Sequence, residues 1–488
     1  MSTIRLEPCV SIDFDSSTLD EIVTKAKDWA LMHGVCVMRS RQNFSPDSIN
    51  FAPFVLVPSA FPKKEFEKAI ELQTLVNEMI HRIANNYEFL KSTLAITNTV
   101  DPFTAQLFKI YTTVQEEGVS QAIDLGLIRN DVMLGAEPEM PLSSFKLRQV
   151  EVNTIAAGFG WLGPSSGRLH RFVMQELSHG DKLQQIPENN ALEALCGGML
   201  KAWEIYNQPQ AVILFIIEET TYIFCDQIFH EFEIRKQNPN VRVIRRNLTQ
   251  LGRGGASLDA EKKLIVDGHE VAVIYFRCGY APDQYMSADG CEWDARLMME
   301  RSKAIKCPSI SYHLAGTKKV QQVLADPGNL ERIFDDPDKV ARLRDVFTGL
   351  YSLDLDEEGD RAAEMAIQNP DKYVLKPQRE GGGNNVYGEE VGEVLKQLKG
   401  NPERASYILM DVIKPPLLQN WMVRPSTQPM RVDTLSELGI FGVIIGTAKE
   451  ILHNSVGGHM LRTKIHTANE GGVAAGIGAL DSPFLVDL

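Results

Sequence analysis

No two of the seven cysteines (Cys9, Cys36, Cys196, Cys225, Cys278, Cys291 and Cys307) stand in a C-x-x-C pair, and their number is odd. That argues against a disulfide framework or a structural zinc site and for a reducing compartment. The opening residues, Met1 to Pro8, lack the apolar core of a signal peptide. The longest purely apolar run, Ala211 to Ile217, is far short of a membrane span. A cytoplasmic protein without membrane attachment is expected. Basic surplus is missing as well: 50 Lys+Arg against 64 Asp+Glu leave a net charge of −14, with no long single-sign block. An acidic surface disfavours a nucleic-acid backbone or an anionic lipid face as partner. There is no internal repeat and no low-complexity segment. The 44% hydrophobic and 23% charged residues, with 36 Gly and 24 Pro, exclude a collagen, a coiled-coil rod or a disordered tail. A chain of 488 residues holds two or three structural units with core enough to need no staples.

The first third reads mainly helical. Thr18-Leu-Asp-Glu21 has the form of a capping box, followed by an apolar stripe of Leu19, Ile22, Val23, Ala26, Trp29 and Ala30 that ends at Gly34. A longer helix is expected over about Lys64 to Asn86, with Phe66, Ala69, Ile70, Val76, Ile80 and Ile83 on one face. The middle changes character: 211–217 and Val271 to Phe276 are short continuous apolar runs, as in strands buried on both faces, and helical segments alternate with them. A parallel sheet flanked by helices is expected over about 210–316. The last third mixes helices with strands such as Tyr373-Val-Leu and Ser406 to Met410.

Chemistry gathers in three places. In Tyr373-Val-Leu-Lys-Pro-Gln-Arg-Glu-Gly-Gly-Gly-Asn-Asn385 a strand delivers Lys376, and three glycines and two asparagines follow. Such a loop can bring backbone N–H groups onto an anion, with Lys376 and Arg379 adding charge and Glu380 able to hold a divalent cation bridging phosphates. It is not a Walker A loop, because the lysine precedes the glycines; the plain alternative is a Gly-Asn hairpin. In Gln149-Val-Glu-Val-Asn-Thr154, strand alternation places Gln149, Glu151 and Asn153 on one face; a carboxylate and an amide oxygen two apart suit Mg²⁺, but taken alone the set reads more simply as a solvated polar strand face. In Leu461-Arg-Thr-Lys464, followed by Glu470-Gly-Gly-Val-Ala-Ala-Gly476, Arg462 and Lys464 share a face ahead of a second glycine-rich turn. Arg129 and Lys318 can extend the cationic cluster, although each alone reads as a surface cation.

These residues, taken together, resemble eukaryotic glutathione synthetases. The likeness lies in Met133, Gln149 to Ile155, Tyr275-Phe-Arg-x-Gly-Tyr280, Leu314-Ala-Gly-Thr-Lys-Lys-Val-Gln-Gln322, Lys376 to Asn385, Ser436-Glu-Leu-Gly-Ile-Phe-Gly442 and the Leu461 to Gly476 tail, in one order from about 125 to the C-terminus. The resemblance implies an α/β (mixed α+β) ATP-grasp ligase, a homodimer joining γ-glutamylcysteine to glycine with ATP and two Mg²⁺ per site. Its parts would be an N-terminal portion of the body (1–209), a parallel-sheet substrate-binding unit (210–316) and a C-terminal portion (317–488) with a lid at about 350–430. It implies that Glu151, Asn153 and Glu380 hold Mg²⁺. The nucleotide would lie among Glu151, Lys318, Lys376, Pro377, Gln378, Arg379, Glu380, Gly381, Gly382, Gly383, Asn384, Asn385, Tyr387, Met410, Asp411, Val412, Ile413, Glu437, Lys464 and Glu470. The peptide donor would meet Arg129, Ile155, Ala156, Ala157, Gly158, Gln227, Arg277, Cys278, Gly279, Tyr280, Arg462, Val473 and Ala474, with Arg462, Lys318 and Lys376 acting on the reacting groups.

The chemistry asks for such groups independently. A carboxylate is inert to an amine until activated, and phosphorylating it brings two anions together, so cations must offset the repulsion. A closing glycine-rich lid would keep water from the acyl phosphate. No side-chain nucleophile is required, and Cys278 reads as a bystander thiol. Two departures from the family pattern stand out. Asn153-Thr-Ile is followed by Ala156-Ala-Gly158 where the family carries Ser-x-Ser, and Asp411-Val412 stands where a lysine is expected near Val412. Small residues at Val473-Ala474-Ala475 suggest an acceptor pocket shaped for glycine rather than β-alanine. The competing readings are a ligase making a glutathione homologue with another amine and a non-catalytic nucleotide-binding regulator.

Overall fold

The computed structural model describes residues 4–38, 48–135, 144–218, 221, 223–381, 383–469, 472–473 and 477–488. Helix α1 (Ser16–Met32) buries Ile22, Val23, Ala26 and Ala30, as its stripe requires. Its cap differs from the expected box. Asp15 is the N-cap, accepting from the Thr18 N–H at 2.8 Å and its hydroxyl at 3.0 Å. A carboxylate is acceptor-only, so Thr18 becomes the donor and the helix starts one turn early. Helix α2 (Lys63–Ala84) buries Phe66, Ala69, Val76, Ile80 and Ile83. Helix α3 (Pro102–Glu117) begins on a proline after Asp101, whose carboxylate caps Thr104 N–H at 2.9 Å.

Strands β1 (Asp124–Gly135) and β2 (Lys146–Asn153) pair antiparallel. The expected parallel sheet follows: β3 (Val212–Ile216), helix α4 (Phe224–Gln237), β4 (Val243–Arg246), β5 (His269–Phe276) and β6 (Ile305–Cys307). Its parallel strands lie in the order β4-β3-β5-β6, and every residue of β3 is buried, which accounts for the unbroken apolar run. Helix α5 (Lys318–Ala325) leads to a small antiparallel sheet of β7 (Leu350–Ser352), β8 (Tyr373–Pro377), β9 (Val386–Tyr387) and β10 (Tyr407–Asp411), ordered β7-β10-β8-β9. Leu353, Ala366, Leu375, Val391, Leu395 and Leu409 give this sheet a core of its own.

The chain closes with β11 (Leu417–Val423), β12 (Met430–Gly446), β13 (Ile451–Ile465) and β14 (Gly478–Asp481). They join a large sheet in the order Arg5–Leu6, β11, Phe54–Val55, β14, β13, β12, β1, β2. Both ends of the chain therefore share one sheet. Its register sets Arg129 opposite Asn153, Asp131 opposite Glu151, and Glu437 opposite Arg462, so the charged residues are cross-strand neighbours.

Candidate active site

The large sheet, helix α5 and the small sheet enclose a cavity of about 390 Å³, the size of a small-ligand site. Strand β2 reaches it through a bulge. The β1–β2 register slips between Asp131/Glu151 and Val132/Gln149, leaving Val150 as the extra residue. Glu151 and Asn153 line the cavity as alternation requires, but Gln149 does not: it donates to Asn130 at 2.8 Å, and Val150 takes its place on the wall. The bulge also aims the Val150 carbonyl at Lys376, which donates to it at 2.8 Å.

Carboxylates and cations interleave around the cavity. Lys318 Nζ, at the start of α5, lies 3.1 Å from Glu151 and 3.1 Å from both oxygens of Glu380. Burial pushes the Glu151 carboxyl up, but Lys318, Lys376 and Arg462 outweigh it and hold it well below the usual range. Glu380 shares the same lysine, yet burial and the Glu151 charge keep it raised. Burial alone would lower Lys318; the two carboxylates reverse that and raise it. Lys376, more weakly compensated, is lowered by burial. Across the cavity Arg462 donates to Glu437 and lies 3.7 Å from Asp131, while Arg129 grips Asp131 through Nε and Nη2 at 2.6 and 2.7 Å. Arg129 Nη1 donates to the Gly158 carbonyl at 3.0 Å.

The glycine-rich loop takes the form its composition allows. Gly381 (φ 85°) and Gly383 (φ 94°) adopt backbone that side-chain-bearing residues avoid. Arg379 reaches back to Asp101 at 2.5 Å, tying the loop to the cap of α3. The donor set around Lys318 fits a hard divalent cation: two carboxylates hold an ammonium between them, and Asn153 adds an amide whose nitrogen donates to Asp131 at 3.0 Å. Among the described residues no three His, Cys, Asp or Glu side chains converge on a metal position. Phosphate oxygens would have to complete the shell, as is usual for Mg²⁺.

The cavity gathers Arg129, Glu151, Asn153, Ile155, Ala156, Ala157, Tyr280, Lys318, Lys376, Arg379, Glu380, Gly381, Asn385, Tyr387, Met410, Asp411, Val412, Ile413, Glu437, Arg462 and Lys464. Other expected residues do not line it. Gly383 and Asn384 lie exposed beyond it, and Gln378 turns to accept from Lys319 N–H at 3.1 Å. Pro377 and the buried Val473 are also off the wall. Arg277 is off the wall too, donating to the Ala157 carbonyl at 3.1 Å, and Gly158, Gln227 and Gly279 also do not line the cavity. Cys278 borders a separate surface groove, and burial pushes its thiol up, in keeping with a bystander. Gly382, Glu470 and Ala474, with Ala475 and Gly476, fall outside the described residues.

Sequence reasoning missed Val374, Leu435, Pro415, His466, Ala468, Asn469 and Gly472 on the wall, and Asp131 behind it. Val374 and Leu435 each stand two residues before a recognised site residue on a strand, and Asp131 two after Arg129, so period-two alternation would have found them.

A family model described as the ATP-binding domain of eukaryotic glutathione synthase matches residues 16–485. The chain is 45% identical to the glutathione synthetase of Homo sapiens over 97% of its length and 98% of that protein. It is 40% identical to the chloroplastic glutathione synthetase of Solanum lycopersicum, over 97% and 86%. Among solved structures, a glutathione-synthetase-like effector of Globodera pallida in its apo form superposes with a TM-score of 0.77 at 26% identity, covering 97% of this chain and 99% of that one. With a family model matched over nearly its whole length and relatives at this level of identity, the chain belongs to the eukaryotic glutathione synthase family.

Proposed function

We propose that the chain joins γ-glutamylcysteine to glycine with cleavage of ATP, forming glutathione. The cysteinyl carboxylate oxygen attacks the γ-phosphorus, ADP leaves, and the glycine nitrogen then attacks the acyl carbon, losing a proton as phosphate departs. Lys318, Lys376 and Arg462 are assigned to the phosphoryl oxygens, where fixed cations stabilise charge without reorganising. Met410, Val412 and Ile413, with Val374 and Leu435, supply an apolar wall for the base, Asp411 being the one carboxylate among them, and Tyr387 and the loop cover the phosphates. Ala156, Ala157, Tyr280 and Arg129 are assigned to the donor peptide. Glu151, Asn153 and Glu380 would hold Mg²⁺, two ions per site, which when bound neutralise the phosphate oxygens.

The observation that carries this reading is the meeting of Glu151 and Glu380 on Lys318, from strand, loop and helix, inside the cavity. We assign residues 1–209 and 317–488 to the body, with a lid at about 350–430, and 210–316 to substrate binding. A homodimer in the cytoplasm completes the proposal; seven free cysteines, six of them buried, suit a reducing compartment. The test is an omission series on ADP release. Release should require γ-glutamylcysteine, glycine and Mg²⁺ together, whereas release unaffected by omitting the dipeptide would mean ATP hydrolysis by water rather than ligation, and no release at all would leave only a nucleotide-binding role.

A further inference from the structure

The turn that follows β5 is held from outside the cavity. Gly279 there has φ 95°, and the chain reverses to bring Tyr280 onto the cavity wall. The Gln284 side-chain oxygen accepts from three successive backbone N–H groups, of Gly279 at 2.6 Å, Tyr280 at 2.9 Å and Ala281 at 3.2 Å. Three N–H groups in a row make a concave, partly positive nest, and here a neutral amide oxygen fills it. The other end of the same amide donates to Glu218 at 2.5 Å, two residues beyond β3. Strands β3 and β5 are parallel neighbours, with Ile216 opposite Phe276, and Arg277 N–H extends the pairing to the Ile216 carbonyl at 2.8 Å. Gln284 therefore pins the ends of two adjacent strands to each other. Tyr285 completes the clamp from the far side of the peptide, its hydroxyl donating to the Gly279 carbonyl at 3.0 Å.

We propose that Gln284 is a positioning residue for the donor-peptide subsite, acting through Tyr280 and Arg277. The proposal rests on the assignment of Tyr280 to the donor made above. Gln284 itself lies off the cavity, bordering the surface groove on the opposite side of the turn. What it holds faces the reaction. Arg277 supports the Ala157 carbonyl at 3.1 Å, and the Tyr280 ring stands 3.8 Å from where a Cβ on Gly381 would lie, against the lid loop. A shift of the turn thus moves the donor wall, and a displacement of about 1 Å at a reacting group can cost on the order of a hundredfold in rate.

The pairing of an amide with a carboxylate supplies the test, because it can be inverted. Gln284→Glu keeps the acceptor for the three N–H groups but sets a second carboxylate against Glu218. Its KM for γ-glutamylcysteine should rise about tenfold, with KM for ATP changing by less than about twofold. Adding Glu218→Gln restores one carboxylate and one amide at the same positions, and the double variant should return to within about threefold of wild type in donor KM. Should Gln284→Glu not fold, Gln284→Asn, one methylene too short to reach, is measured instead and should show the same split. Donor and ATP constants moving together, or a folded double variant that does not recover, would overturn the proposal. Tyr280→Ala run alongside separates the two levels. A raised donor KM there with a silent Gln284→Glu removes Gln284 alone, while an unchanged donor KM in Tyr280→Ala removes the subsite assignment.

Discussion

Replacing Lys318 by methionine, similar in length and apolar, removes the ammonium that Glu151 and Glu380 share at 3.1 Å. Two carboxylates are left facing each other around a group only 5% exposed. Stripping one partner from a buried ion pair costs about 3–5 kcal/mol, because the remaining charge is uncompensated. Glu151 and Glu380 keep side-chain exposures of 21% and 18%, so water relieves part of this, and about 3 kcal/mol is expected in EDTA at neutral pH. The pH sign follows. In the wild type Glu151 sits below its unfolded value, so its stabilisation is present at neutral pH and lost on acidification. Without the lysine the pair is pushed up instead, so the variant regains stability as pH falls and the gap to wild type narrows. Mg²⁺, a cation for the same oxygens, should narrow it too. Urea unfolding of both proteins, at two pH values and with or without Mg²⁺, reads all three effects. A variant within about 0.5 kcal/mol of wild type in EDTA, or a gap indifferent to Mg²⁺ and pH, would mean that Lys318 does not offset the charge of Glu151 and Glu380.

Glu380→Gln should lower kcat by at least about a hundredfold with an unchanged unfolding midpoint, since the lost charge matters most at the phosphoryl transition state; activity within twofold of wild type would take Glu380 off the metal assignment. At Gly383 a Cβ would meet nothing within 4 Å, so Gly383→Ala tests backbone conformation alone: a strain of about 1–2 kcal/mol should slow turnover severalfold without a clash, and a fully active variant would make the loop a passive turn. Burial pushes the His170 and His230 rings down to about 4 and His459 to about 3. Each is neutral in the fold and protonates first in the unfolded chain, so its contribution is lost as pH falls from about 6.5 toward 4, roughly 2 kcal/mol apiece by pH 5. Histidine NMR titration should show these rings unprotonated at pH 5, and midpoints near 6.5 would contradict the burial argument.

Local regularity made much of this legible. The unbroken apolar runs of β3 and β5 announced a doubly covered parallel sheet, and two-residue alternation placed Glu151 with Asn153 and Arg462 with Lys464. What escaped depends on contacts distant in sequence. The bulge at Val150, which turns Gln149 away, is set by register against β1. The pairing of Asp131 with Arg462 needs β12 to lie beside β1 and β13 beside β12, some three hundred residues further on. Arg277, assigned to the substrate from its motif, donates instead to the Ala157 carbonyl and does not line the cavity, and no local pattern encodes that contact.

On the proposed reaction, this cavity activates the donor carboxylate by phosphorylation before glycine attacks. This is tested most directly with γ-glutamylcysteine carrying ¹⁸O in its cysteinyl carboxylate, incubated with ATP, glycine and Mg²⁺. One labelled oxygen should appear in the released phosphate for each tripeptide and each ADP formed. Unlabelled phosphate, or ADP formed without tripeptide, would contradict it.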